Sequence, residues 1–212
     1  MEDSSLVDRF GPLTLATGAA IAIVLWAQRP VKPKSAPKSV FLPPQTEPID
    51  PKPAWETPAE DFAAREPPSG CDQSPKKGTV ILRDYVLDHW GGSDAGIGRG
   101  CDLGRPSHHH EGRAWDWGGV RPGSPKVAAM LDWLLSDDAE MFRRAGLEYV
   151  IWDKNIFSSS RPEWAVYCSG SPCRNANGEI RNPHSDHVHF SLSRKAARGE
   201  TSFYRANPLA VS

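Results

Sequence analysis

The chain has 212 residues, of which 39% are hydrophobic and 24% charged, and its formal net charge is −1. That length admits one globular domain plus extensions. The charge lacks the basic excess that binding a polyanion requires, so no nucleic-acid partner is expected.

The first feature in chain order is residues 13–27, "LTLATGAAIAIVLWA", an uncharged apolar run. Extended back to Phe10, it reaches the lower edge of the ~17–25 residues that span a bilayer. Glu2, Asp3 and Asp8 against Arg9, and the poor cleavage site "LWAQRP", argue against a cleaved signal peptide. Residues 1–28 are therefore expected to be an N-terminal membrane anchor, with a signal segment as the alternative. Arg29, Lys32, Lys34 and Lys38 follow the segment, and the positive-inside rule taken alone would keep that side cytoplasmic.

Residues 29–70 are expected to form an extended linker. The stretch 30–68 holds eleven of the twenty prolines and shows no apolar periodicity. Proline fixes φ and removes a donor, which disfavours helix and central strand. In polyproline II such a spacer would reach on the order of 100 Å.

From Cys71 the composition becomes globular, giving an expected domain at 71–206 and a tail at 207–212. "GTVILRDYVLDHWGG" (78–92) places Leu82, Tyr85, Val86 and His89 at helical spacing, with Gly91 to end the helix. "SPKVAAMLDWLL" (124–135) offers Ser124 as N-cap, Pro125 at the first helical position and a buried stripe of Val127, Met130, Leu131 and Leu134. A short helix is expected over 137–145, ending at Gly146. "LEYVIWD" (147–153) and "HVHFSLS" (187–193) predict strands. The mixture, without a strict βαβ repeat, indicates an α+β fold.

Cys71, Cys101, Cys168 and Cys173 lack C-x-x-C spacing and suit two disulfides better than a zinc finger. Three pairings are possible. Cys71–Cys101 and Cys168–Cys173 are favoured because each brackets a Gly-rich or turn-rich loop; reduced core thiols are the alternative.

Three of the seven histidines stand together in "SHHHEGRAWDWGG" (107–119). Ser107, His109, Gly112, Ala114 and Asp116 fit the pattern S-x-H-x-x-G-x-A-x-D. Gly112 can turn the chain. Strand alternation then puts Ala114 and Asp116 on one side and Arg113, Trp115 and Trp117 on the other. Far along the chain, "NPHSDHVHF" (182–190) brings His187 and His189 to one strand face, with Val188 and Phe190 on the other. His109, Asp116 and His189 would form a His₂Asp zinc set with an open fourth position. His108 and His110 alternate away towards solvent, Glu111 is expected to be solvated, and His184 and His89 read as structural or surface histidines.

"SHHHEGRAWDW", "YVIWDKNIF" and "NPHSDHVHFSLS" together resemble the LAS metallopeptidases of the Hedgehog/DD-peptidase fold. These include D-Ala-D-Ala carboxypeptidases, dipeptidases and cell-wall endopeptidases. The closer resemblance is to a group of secreted bacterial and fungal domains of this fold. It covers roughly 71–205 and implies a small antiparallel sheet flanked by helices. It also implies His109, Asp116 and His189 as Zn²⁺ ligands, and an acid three residues before the last ligand, Asp186, as general base. Many members carry glutamate there, so His187 is the substitute candidate. Arg99 sits where the resemblance implies an oxyanion-stabilising arginine, with Arg105 and Arg113 as competitors. Ser107 falls at a position that supports a ligand or meets substrate, and Trp115 or Trp152 could line a groove.

The expectation is an extracytoplasmic zinc hydrolase, membrane-anchored or secreted, that cleaves peptide bonds in peptidoglycan stems or crosslinks. A zinc-containing but inactive wall- or glycan-binding module is the alternative, and a disulfide-bonded structural domain without metal the third.

Overall fold

The computed structural model describes residues 55–102, 106–167, 175, 177–179 and 181–207. The apolar segment 13–27, the linker as far as residue 54, Arg105, Cys168, Cys173 and the tail from 208 lie outside the described residues. Among those described, no helix is long and apolar enough to cross a membrane.

Helix α1 (Lys77–Trp90) buries Ile81, Leu82 and Val86, one apolar face at helical spacing. It ends where expected, at Gly91, whose φ of 66° is left-handed and whose N–H bonds the Leu87 carbonyl at 2.8 Å. Gly78 on the same helix lies against the backbone of a short helix near the C-terminus. A Cβ there would stand 1.9 Å from the Ala196 carbonyl oxygen, so only glycine permits that approach.

Helix α2 (Pro125–Arg144) begins with proline at its first turn, as predicted, although the Ser124 side chain makes no capping bond. Its path is interrupted at Ser136–Ala139, where Asp137, Asp138 and Ala139 take positive φ. The helical run beyond this kink is the expected second helix, which starts after Ala139 rather than at residue 137. Gly146, at φ 56°, turns the chain into the sheet.

The sheet has six strands in the order β1 (Ser93–Asp94), β2 (Ala114–Gly118), β6 (Val188–Leu192), β3 (Leu147–Trp152), β4 (Asn155–Ser158), β5 (Arg161–Val166). Every pairing is antiparallel. β2, β6 and β3 form its centre, and all five residues of β6 are buried. On one face Trp115 stacks on Phe190 with ring centroids 5.4 Å apart. With Val188, Leu192 and Val150 they join a core completed by α1, α2 and Phe203. Complete burial of each such side chain contributes roughly 1.5–3 kcal/mol. The other face of the same strands carries polar groups, Asp116 opposite His189 in register. The protein is α+β, with a six-stranded antiparallel sheet and a few helices.

Residues 55–70, expected to continue the linker, are extended but docked. Arg144 stacks over the Trp55 ring at 4.4 Å and donates to the Thr57 carbonyl at 2.9 Å, while Phe62 packs on Phe142. The Glu60 carboxylate accepts from the backbone and hydroxyl of Ser202, capping α4 (Ser202–Ala206). Glu66 accepts from the Arg194 backbone at the start of α3 (Arg194–Ala197). Proline keeps this strap out of helix and sheet, as composition dictates. What holds it is a set of arginines and helix starts elsewhere in the chain.

Candidate metal centre

Residues 108–111 form a 3₁₀ turn, not the start of a strand. At three residues per turn, successive side chains diverge by about 120°, so three adjacent histidines point in three directions. Ser107 caps the turn by accepting from the His109 N–H at 3.2 Å, and His110 Nδ1 accepts from the Ser107 N–H at 3.3 Å. Gly112 closes it at φ 61°, where a Cβ would meet the Ser74 carbonyl oxygen at 2.0 Å.

The consequence corrects the alternation expected from sequence, because His108 and His110 are buried along with His109. His108 Nδ1 lies 3.2 Å from an Arg113 nitrogen, and its ring packs on Tyr149. Burial, then the nearby Arg113 cation, pushes its pKa down to about 3. Glu111 is likewise far from solvated. It accepts from the backbone of Ser69 and Gly70 and from Arg113 and Arg194. Burial would raise its pKa, but these bonds prevail and bring it to about 2.

The three expected ligands converge, with one donor atom from each lying within 4.8 Å of the others. His109 Nε2 stands 3.2 Å from His189 Nδ1 and 3.3 Å from Asp116 Oδ1, and His189 Nδ1 is 2.9 Å from that same oxygen. The outward nitrogens set the tautomers. His109 Nδ1 lies 2.6 Å from the Ile97 carbonyl, which only accepts, so Nδ1 carries the proton and Nε2 presents a lone pair inward. His189 Nε2 lies 2.9 Å from the Ser191 hydroxyl oxygen, which can accept the Nε2 proton and leave Nδ1 free as a second inward lone pair. Asp116 adds a carboxylate oxygen. Its burial opposes ionisation, but its close contacts with His109 and His189 outweigh that and hold its carboxyl far below the usual range. Burial lowers the pKa of His189, favouring the neutral, ligating form. Two imidazole nitrogens and one carboxylate oxygen, each oriented from behind, can hold a metal ion.

The other residues singled out in the sequence distribute around this point. Arg99 does not stand free to meet an oxyanion; its guanidinium pairs with Asp116 Oδ2, the oxygen turned away from the histidines. His187 aims Nε2 at the cluster, 3.8 Å from Asp116 Oδ1, and this buried nitrogen has no hydrogen-bond partner. Its Nδ1 lies 2.7 Å from Asp186 Oδ1. Asp186, the residue preferred as base, points away from the ligands with its side chain 88% exposed, because β6 begins only at Val188. His187 lowers the Asp186 pKa by hydrogen bonding to its carboxylate. Trp115 lines no groove: it is fully buried on the opposite face, its Nε1 donating to Asp94 at 2.9 Å. Ser107 supports the turn that carries His109. Cys71 and Cys101 form a disulfide, as favoured from the loop they bracket. Asp72 and Arg99, beside the two cysteines, donate backbone N–H bonds to the His110 and His109 carbonyls, so the crosslink staples the segments flanking the histidine turn.

Two tyrosines escaped the sequence reading, and a histidine read there as structural or surface stands beside the cluster. His184 is buried at φ 51°, its ring 4.9 Å from that of His187 and 5.7 Å from that of His189. Tyr149 stacks on His189 and Tyr167 meets His184 edge-on. The signal for His184 was the density of histidines in 184–189; for the tyrosines there was none, since Tyr149 lies on an ordinary strand and Tyr167 just past the end of one.

No curated protein and no solved structure matches the chain. The family described as "VldE, C-terminal domain" matches residues 71–176, a span that holds His109 and Asp116 and stops before His189. The chain belongs to the VldE C-terminal domain family.

Proposed function

We propose that the protein is a zinc-dependent hydrolase of the LAS type, with the Hedgehog/DD-peptidase fold, acting on peptide bonds of peptidoglycan stems or crosslinks. The observation that carries this reading is the convergence of His109 Nε2, Asp116 Oδ1 and His189 Nδ1 beside a fourth, unpartnered nitrogen on His187. Two nitrogens and one oxygen suit zinc, which takes this donor set in catalytic sites and leaves a position open. A zinc ion held there supplies Lewis acidity, polarising a carbonyl and acidifying water.

The remaining work falls to residues of the chain. Asp186 accepts the Nδ1 proton of His187, so Nε2 carries a lone pair towards the cluster and can take a proton from water. The Asp186 carboxylate then stabilises the imidazolium, which returns that proton to the leaving amine. This reverses the preference from sequence: His187 is the base and Asp186 orients it. Arg99 fixes the second oxygen of Asp116 and balances its charge. The Cys71–Cys101 disulfide supports an oxidising, extracytoplasmic setting, where the apolar segment 13–27 would serve as anchor.

The exposed position of Asp186 also favours a second reading, a zinc-containing wall-binding module without turnover. Incubating the zinc-loaded chain with purified muropeptides, followed by mass spectrometry, separates the two. Cleavage that is lost with chelator and restored by zinc is the expected result. Stoichiometric zinc with sacculus binding and no product would overturn the hydrolase.

A further inference from the structure

A cleft of about 300 Å³ opens beside the metal centre, between the strap and the β3–β4 hairpin. Its walls back onto the cluster. Tyr149, one of its walls, stacks on His189 at 5.6 Å, and Ile151 is the cross-strand neighbour of His189. Tyr167, a third wall, contacts His184, which in turn contacts His187. The cleft is thus separated from the cluster by one layer of side chains.

Two charged residues line it, Arg65 and Glu148. Glu148 is already answered. A one-residue bulge between Leu147 and Tyr149 turns it inward, where its oxygens accept from Arg113 at 2.6 Å and from the Glu66 backbone at 3.0 Å. Arg65 is exposed, and among the described residues it has no ion-pair partner. Its position is set by the next residue, because Glu66 is gripped at its N–H by Glu148 and at its carbonyl by Arg113. Serines 158 to 160 add hydroxyls at the lip, and Ile151 and Ile156 an apolar floor. One free guanidinium near a neutralised acid suits a monoanion that can accept two parallel hydrogen bonds, which is a carboxylate rather than a dianionic phosphate.

We propose that this cleft is the substrate groove and that Arg65, contributed by the strap, selects peptides bearing a carboxylate. The inference rests on the hydrolase reading for the identity of the ligand as a peptide. The carboxylate could be a free C-terminus or an acidic side chain, and the first would place the scissile bond near the chain end. Isothermal titration of the zinc-loaded full chain with four small-residue pentapeptides tests this. One pair differs only in a C-terminal carboxylate or carboxamide, the other in an internal Glu or Gln with both ends blocked. In one of the pairs the charged member should bind about fivefold tighter, as expected for a partly exposed ion pair. Arg65→Gln should remove that preference while leaving the neutral peptide unaffected, and Arg65→Glu should reverse it. A preference that survives Arg65→Gln, no preference in either pair, or no binding by the wild type would overturn the proposal. Cleavage of the same peptides is followed in parallel. An Arg65-dependent preference without cleavage sinks the hydrolase and keeps the groove; cleavage indifferent to Arg65 does the opposite.

Discussion

The segment from Ser107 to Asp116 supplies two buried polar clusters that differ in how their charges close. On one side, Arg113 spends its donors on Glu111, Glu148, the Leu192 carbonyl and the Glu66 carbonyl, and Glu111 also takes up Arg194. On the other, His109, Asp116 and His189 turn lone pairs towards one another, and His187 adds a nitrogen with nothing to bond. Both clusters mix acids with histidine, and both are shielded from water. Residue type therefore does not separate them. Saturation does: a closed network is a brace for the fold, whereas converging acceptors call for a cation.

The sharpest way to break this contrast is to cross the two clusters by mutation. His109→Ala should lower zinc affinity by at least about 100-fold and abolish turnover. Competition with a chromogenic chelator measures the first, and unchanged zinc loading would erase the distinction. His187→Gln should cut the catalytic rate by ~10²–10⁴ with zinc content intact. Paired metal analysis and steady-state kinetics read both quantities.

Arg113→Met should do the reverse of His109→Ala. It leaves Glu148 buried without its cation, at a cost of about 3–5 kcal/mol in urea unfolding with chelator present. Zinc affinity should move by less than about tenfold; a larger fall would show that the brace and the metal centre are one network.

The smallest effect expected is on acid stability. His108 has a folded pKa of about 3 against an ordinary 6.5, so as pH falls the unfolded chain takes the proton first. Its contribution is complete above pH 6.5 and is lost progressively down to about 3. Glu111, at about 2 against 4.5, adds a loss between those values in the same direction. Together they should remove a few kcal/mol, and denaturant titrations between pH 7 and 3 on His108→Phe and Glu111→Gln should flatten the slope in their respective windows.

Much of the site was legible before any coordinates. The grouping of His109, Asp116 and His189 was expected from two paired motifs and the resemblance they carry, and α1, the start of α2, β3 and β6 follow from apolar periodicity. Alternation by two sent His108 and His110 outward, where the chain instead forms a 3₁₀ turn over His108–Glu111. Glu111 was read as a solvated acid because its partners Ser69, Gly70 and Arg194 are remote in sequence. Asp186 was preferred as base from the resemblance, and it stands exposed because β6 starts two residues later. The strap was invisible for another reason. Its own residues dictate only an extended backbone, and the groups that seize it, Arg113, Arg143, Arg144 and Arg194, belong to distant elements. Strands β4 and β5 were missed because pairing in series, β4 on β3 and β5 on β4, makes them strands more than their own pattern does.

That strap bears on where the protein could be cut. The family boundary falls at Cys71, yet the carboxylates that cap α3 and α4 come from Glu66 and Glu60. A fragment trimmed to the inherited motif would strip a wall from the cleft and bare Phe142 to water. The compact unit begins no later than Trp55, upstream of the part that similarity alone can see.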